Sequence, residues 1–199
     1  MWALFPGDKH IQAVSELIAA TQNSERVVAI VGGSLLEDAV ETTLRERLLN
    51  IKGVVDSLMG HDRALGATGP KIDLLHLLGA FDDKTRNALK GLTRIRNCFA
   101  HTLDASFISP NKELRGNLKR LALHEGRTHY PHHLFGPDSD VEIESIITNQ
   151  DRFIVNLRLA LLFLMRDRIS HHPYSNCAFT EDQLLAKYPT RYERGPPGS

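Results

Sequence analysis

The chain has 199 residues, of which 42% are hydrophobic, and its 24 lysines and arginines balance 24 aspartates and glutamates to a formal net charge of zero. This composition is ordinary for a globular protein with a buried core. It argues against a protein that binds nucleic acid indiscriminately through its overall charge.

The cysteine content and the apolar runs bear on the compartment. Cys98 and Cys177 are too few for a disulfide framework, and neither belongs to a Cys-x-x-Cys pair. The first eight residues lack the basic and apolar regions of a signal peptide. The longest apolar run, residues 153–165, is interrupted by Asn156 and Arg158 and is shorter than the roughly 20 residues of a membrane span. We therefore expect a cytoplasmic protein with no membrane segment.

The N-terminal third of the chain predicts two helices. The first covers about residues 8–22, with Asp8 as its N-cap. The second begins at Ser24 and ends near residue 50, and its expected apolar stripe is Val27, Val31, Leu35 and Ala39 at i,i+4 spacing. Gly32 and Gly33 inside this helix each cost about 1 kcal/mol relative to alanine. We expect a close helix crossing or a kink to compensate for them.

The middle of the chain predicts a short helix and a long amphipathic one. Pro70 suits the first turn of the short helix, and Gly79 suits its end. The long helix covers about residues 82–101 and begins with Asp82 or Asp83 as its cap. Its predicted buried positions are Leu89, Leu92, Ile95 and Phe99.

A fifth helix is expected from about Asn111, a sixth over about residues 141–170 and a short one over 180–187. No run of alternating apolar and β-branched residues predicts a strand. The predicted fold class is all-α, a bundle of about five to six helices. We expect one domain over residues 1–172 and a C-terminal extension, partly disordered, over residues 173–199.

Residues 94–101 combine a permanent cation, an amide and an imidazole within about two helical turns. Asn97 and His101 are spaced i,i+4 and share one helix face, and Arg96 can reach over the same surface. The predicted buried stripe leaves this face out of the core. It must therefore meet solvent, a ligand or another subunit.

The pattern Arg-Asn-x-x-Ala-His at residues 96–101 resembles the Arg-x4-His motif of the HEPN superfamily. These small all-helical domains include metal-independent endoribonucleases of bacterial toxin and defence systems. Residues 30–40, residues 69–79 and the Asp82-Asp83 pair are also similar to blocks of the mannitol operon repressor family, itself related to HEPN domains. The resemblance covers roughly residues 24–165.

The resemblance implies an HEPN-like helical bundle and a metal-independent endoribonuclease that needs no cofactor. It implies that His101 is the acid–base residue, that Arg96 clamps the phosphate and that Asn97 positions them. It further implies a homodimer that brings two copies of the motif together. A protein partner such as an antitoxin fits the same resemblance.

Charge is distributed unevenly along the chain, because residues 84–120 contain nine lysines and arginines against only Asp104 and Glu113. One interpretation is a set of solvated helix faces. The other is a phosphate-contacting surface beside the motif, in which Lys90 and Arg94 bind RNA.

Three alternatives remain open. The histidines of two loop regions could ligate a metal, although no cysteine or carboxylate stands at motif spacing and we predict no metal site; they are His124, His129, His132, His133, His171 and His172. Cys98 and His101 could form a thiolate–imidazole pair, against an inert buried cysteine. Finally, the chain could be a non-catalytic regulator that acts through protein–protein contacts, like the mannitol repressor family it resembles.

Overall fold

A computed structural model describes residue 13 and residues 24–48, 51, 53–108, 111–125 and 148–171, with side chains of the last helix described as far as residue 168. Of the first predicted helix only Ala13 is described, and it is helical. The predicted C-terminal extension and its short helix lie outside the described residues.

The described residues form six helices and no strand, so the all-α prediction is confirmed. The helices are α1 (Glu25–Arg47), α2 (Val54–Met59), α3 (Thr68–Leu77), α4 (Asp83–His101), α5 (Lys112–Lys119) and α6 (Asn149–His171). Within this part of the chain, no helix combines the length and the apolar character that crossing a membrane requires.

Helix α1 lies at the centre of the bundle, where it packs mainly against α4 and α6. The Ser24 hydroxyl caps its N-terminus by accepting a hydrogen bond from the Val27 amide at 3.4 Å. The predicted apolar stripe of this helix is wrong at its start, because Val27 and Val31 are 37% and 41% exposed. The buried face instead consists of Val28, Ala29, Gly32, Gly33, Leu36, Ala39, Val40, Thr43 and Leu44.

Helix α3 begins at Thr68, two residues before the expected Pro70, and ends where Gly79 was predicted to stop it. Gly79 has a φ of 75°, in the left-handed region that favours glycine. Its amide donates to the His76 carbonyl, and the Ala80 amide donates to the Leu75 carbonyl. These two bonds form a Schellman motif.

The start of α6 and the presence of α2 also differ from the sequence prediction. Helix α6 begins at Asn149 rather than near residue 141, because Thr148 and Asp151 form a reciprocal cap: the Asp151 amide donates to the Thr148 hydroxyl, and the Asp151 carboxylate accepts from the Thr148 amide. The six-residue helix α2 was not predicted at all. Short helices give too few turns for a periodic signal.

Contacts between residues far apart in the sequence stabilise the bundle at both ends of α1. At its C-terminal end, Arg47 forms a bidentate ion pair with Asp167 of α6. The Arg47 side chain is 11% exposed and that of Asp167 is 4% exposed. At the opposite end, the rings of Phe99, Phe107 and Phe153 pack against one another in the core at tilted angles of 48° and 43°. The C-terminus of α4 lies at this second end.

Candidate nucleic-acid site

Helix α4 carries all three motif residues, and a cap and a buried face fix its position. The Asp82 carboxylate accepts a hydrogen bond from the Thr85 amide at 2.8 Å, which confirms Asp82 as the N-cap. Hydrogen bonds from the Thr85 side chain, which has the larger effect, and from the Thr85 backbone hold the pKa of Asp82 below its usual value. The predicted apolar positions are fully buried; they are Leu89, Leu92, Ile95 and Phe99.

The opposite side of α4 carries the exposed polar residues. Arg94, Asn97 and His101 are all exposed, and His101 is the last residue of the helix. Asn97 and His101 therefore lie one turn apart on the same surface, as the spacing predicted. The structure describes no hydrogen bond between these two side chains. The Asn97 side-chain oxygen instead accepts one from the Arg96 guanidinium at 3.0 Å.

Arg96 points towards α1 and lies directly over Gly33. A Cβ built on Gly33 would stand 2.5 Å from both Cβ and Cγ of Arg96. Two non-bonded carbon atoms cannot approach each other this closely, so a side chain at residue 33 would clash. The sequence prediction of a close helix crossing at the glycine pair is thus confirmed at Gly33. The missing side chain lets α4 approach α1 at this point.

The guanidinium of Arg96 is held from both sides. One terminal nitrogen donates to Asn97, and the other lies 3.7 Å from a carboxylate oxygen of Glu37 on α1. Nε is buried without a hydrogen-bond partner among the described residues. The contact with Glu37 is longer than a hydrogen bond, and the side chain remains 28% exposed. Terminal N–H donors of Arg96 are therefore still available to an anion.

The sequence analysis missed Arg26, which fixes the C-terminus of α4. Its guanidinium donates to the carbonyl oxygens of Phe99 and Leu103, and to that of Thr102 at 2.7 Å. A cation at this position satisfies carbonyls that have no partner within the helix and interacts favourably with the helix dipole. His101 consequently stands on a helix end that another element holds in place.

The loop after His101 is anchored in the same way. The Glu25 carboxylate accepts from the Phe107 amide at 3.0 Å, and the Asn149 side chain donates to the Phe107 carbonyl at 2.8 Å. The Phe107 ring itself is buried between those of Phe99 and Phe153. Contacts from both α1 and α6 thus hold the chain that follows the motif.

The two predicted RNA-binding cations have different surroundings. Arg94 is exposed, and within the described residues its side chain forms no hydrogen bond or ion pair. Lys90 is half-buried and lies 2.7 Å from Asp73 of α3, a carboxylate that it shares with Arg86. Hydrogen bonds from Lys90 and Arg86 hold the pKa of Asp73 below its usual value. This acidic partner was not predicted.

The thiol alternative receives no support from the environment of Cys98. The side chain is half-buried, and burial, assisted by the charge of Glu113, raises the pKa of its thiol. A raised pKa disfavours the thiolate that nucleophilic chemistry requires.

Of the six histidines in the metal alternative, the structure describes the side chain of His124. His124 is buried, and its Nδ1 lies 3.0 Å from the Asn156 amide nitrogen. Among the described residues, no group of three or more histidine, cysteine, aspartate or glutamate side chains could hold a metal. The side chains of His129, His132, His133, His171 and His172 lie outside the described part of the chain.

Taken together, the C-terminal half of α4 presents an imidazole, an amide and a cation on one accessible surface. The cation and amide can bind an oxyanion, and an imidazole has the nitrogen atoms to donate or accept a proton. Comparison of the chain with protein-family models, with curated proteins and with solved structures finds no match. The site must therefore be interpreted from its own chemistry.

Proposed function

We propose that this chain is an HEPN-type protein that acts on RNA and cleaves it without a metal, through Arg96, Asn97 and His101. The observation that carries the proposal is the exposure of Asn97 and His101 beside a guanidinium that Glu37 and Asn97 hold at the surface. No core contact requires an imidazole at the exposed end of α4. Phosphate recognition uses a cation and hydrogen-bond donors, and proton transfer uses an acid–base side chain; Arg96, Asn97 and His101 supply these groups together.

The proposed reaction uses the 2′-hydroxyl of the RNA as its nucleophile. A base removes the 2′ proton, the 2′ oxygen bonds to phosphorus and the bond from phosphorus to the 5′ oxygen breaks as an acid protonates that oxygen. The products are a 2′,3′-cyclic phosphate and a free 5′-hydroxyl. Arg96 would stabilise the negative charge of the crowded phosphorane, and His101 would carry the proton.

The reaction needs both a base and an acid, whereas one protomer contributes a single motif histidine. The resemblance to HEPN domains implies a homodimer whose two motifs face each other, so that a second copy of the chain provides the second histidine. One His101 would then act as the base and the other as the acid.

A second candidate function is a non-catalytic regulator that acts through protein contacts. Large apolar side chains exposed near the motif favour it, since Leu103 is 96% and Ile108 86% exposed. Exposed apolar surface of this kind marks protein interaction sites. On this alternative, the motif face would bind a partner protein and no RNA would be cut.

Incubation with total and structured RNA in EDTA tests the proposal. Parent protein, His101→Ala and Arg96→Ala should be matched for circular dichroism and oligomeric size, and His61→Ala, at an exposed histidine between α2 and α3, is the control. Cleavage by the parent and the control alone, leaving 2′,3′-cyclic phosphate ends, would support the proposal. Inactivity of all four folded proteins would favour the regulator.

A further inference from the structure

Five polar residues of α4 form a row along one face of the helix. Arg86, Lys90, Arg94, Asn97 and His101 follow each other at spacings of four, four, three and four residues. At about 100° per residue, this spacing keeps all five within an arc of about 80°. The row is about 22 Å long, and its three cations lie about 6 Å apart along the axis. The predicted catalytic residues therefore stand at the end of a row of positive charge.

The row is only partly neutralised by other protein groups. The Asp73 carboxylate lies 2.6 Å from Arg86 and 2.7 Å from Lys90, so that one negative charge is shared between two cations. Arg94 is exposed without an ionic partner in the described structure. The row consequently keeps unbalanced positive charge, most of it on the side adjoining the motif.

The charge is also one-sided with respect to the motif. Helix α4 ends at His101, and Asp104 is the only lysine, arginine, aspartate or glutamate of residues 102–108. A polyanion that reaches His101 meets the unpaired Arg94 on one side. On the other side it meets the exposed Asp104 and Arg26, whose guanidinium is already bound to the carbonyls of Phe99, Thr102 and Leu103. Electrostatics therefore favours a ligand that extends from the motif towards the N-terminus of α4.

We infer that this row is the binding track for the backbone of a single RNA strand, which extends from the motif over Arg94 to Lys90 and Arg86, and that Asp73 limits its affinity. The inference rests on the proposed function, since it assigns a substrate form to the same site. A single file of cations on one helix matches one phosphate backbone. A duplex presents two backbones on either side of a groove, and a single helix face cannot follow both.

Asp73 acts on this track as an internal competitor. A phosphate that approaches Lys90 or Arg86 must share the cation with the carboxylate that already binds it. Replacing Asp73 by asparagine removes the competing charge and keeps a hydrogen-bond acceptor of the same shape. The variant should therefore bind RNA more tightly, a change in affinity that loss of folding cannot produce.

Fluorescence anisotropy tests the inference in the full-length His101→Ala background, in EDTA, with a labelled single strand of about 12 nucleotides and the same strand in a duplex. Arg94→Ala should weaken single-strand binding about fivefold to tenfold and reduce the salt slope by roughly one phosphate contact. Asp73→Asn should tighten it about threefold. Arg166→Ala, which removes an exposed cation of α6, should leave affinity unchanged.

The inference is overturned if the His101→Ala protein does not bind the single strand or binds the duplex more tightly. It is also overturned if Arg94→Ala and Arg166→Ala have the same effect on affinity. If the affinities change as expected but the unmodified protein never cleaves RNA, the track is supported and only the catalytic proposal is rejected. Cleavage by the parent with affinity independent of Arg94 and Asp73 would reject the track and leave the catalytic proposal standing.

Discussion

Gly33 of α1 lies so close beneath Arg96 of α4 that even one added carbon would meet the Cβ and Cγ of the arginine at 2.5 Å. These atoms adjoin the backbone of Arg96, so the two helices must separate to relieve the overlap. We expect Gly33→Ala to lower the free energy of unfolding by about 1–2 kcal/mol, after allowing for the better helix propensity of alanine. Urea titration followed by circular dichroism measures this change.

Gly116 provides the matched control, because nothing lies within 4 Å of a Cβ placed there on α5. Gly116→Ala should gain about 0.5–1 kcal/mol from helix propensity alone. Equal effects of the two substitutions would show that the contact at Gly33 has no energetic weight.

Removal of Arg26 should loosen the end of α4 that carries His101. Three carbonyl oxygens lose a charged donor in Arg26→Ala, so we expect a loss of about 1–2 kcal/mol in stability. Faster hydrogen exchange in the last turn of α4 should accompany it. Arg94→Ala, an exposed change on the same helix, should leave that exchange as it is; if both variants exchange alike, Arg26 does not hold the helix end.

The Arg47–Asp167 ion pair should matter far more than its exposed counterpart. Asp167→Ala leaves the nearly buried Arg47 without its carboxylate, and we expect it to cost about 3–5 kcal/mol. Asp56 pairs with Arg45 at the surface, where their side chains are 77% and 40% exposed. Asp56→Ala should therefore cost less than about 1 kcal/mol. Comparable midpoints of thermal unfolding for both variants would contradict the assignment.

Stability should depend on pH through His124. Its burial, reinforced by the charge of Arg152, lowers the pKa of the imidazole in the folded protein. Below about pH 6.5 the unfolded chain takes up a proton at this residue that the folded protein resists. The stability associated with neutral His124 is thus complete above that pH and is lost as the pH falls towards the folded-state value.

Urea unfolding between pH 7 and pH 5 should accordingly show a steeper decline for the parent protein than for His124→Gln. The difference should not exceed about 1.4 kcal/mol per pH unit, the limit for one proton. The lowered pKa values of Asp73 and Asp82 act in a separate window, below about pH 4. Parallel slopes for the two proteins would exclude His124 as the source.

The sequence predicts α4 well and α1 poorly, for the same physical reason. Helix α4 buries one side and exposes the other, so its apolar residues mark the buried side plainly. Helix α1 packs against several neighbours, and apolar residues surround much of its circumference. Periodicity then does not single out one face, and Val27 and Val31 were wrongly placed in the core.

The candidate site divides in a similar way between local and distant contacts. Asn97 and His101 are four residues apart, and their common exposed face follows from helix geometry alone. Arg26 is 76 residues from Thr102, and Glu37 is 59 residues from Arg96. No local sequence pattern can predict either contact. The role of Gly33 was foreseen only as a crossing, because its partner Arg96 depends on how the helices dock.

The Arg47–Asp167 pair also has a consequence for synthesis of the chain. Its two residues are 120 positions apart, so at about 5–20 residues per second the ribosome needs roughly 6–24 seconds to supply the second after the first. During that interval the side of α1 destined for α6 has no partner. We expect a nascent chain stopped before residue 149 to expose apolar surface and to bind chaperones, and release of α6 to end that binding.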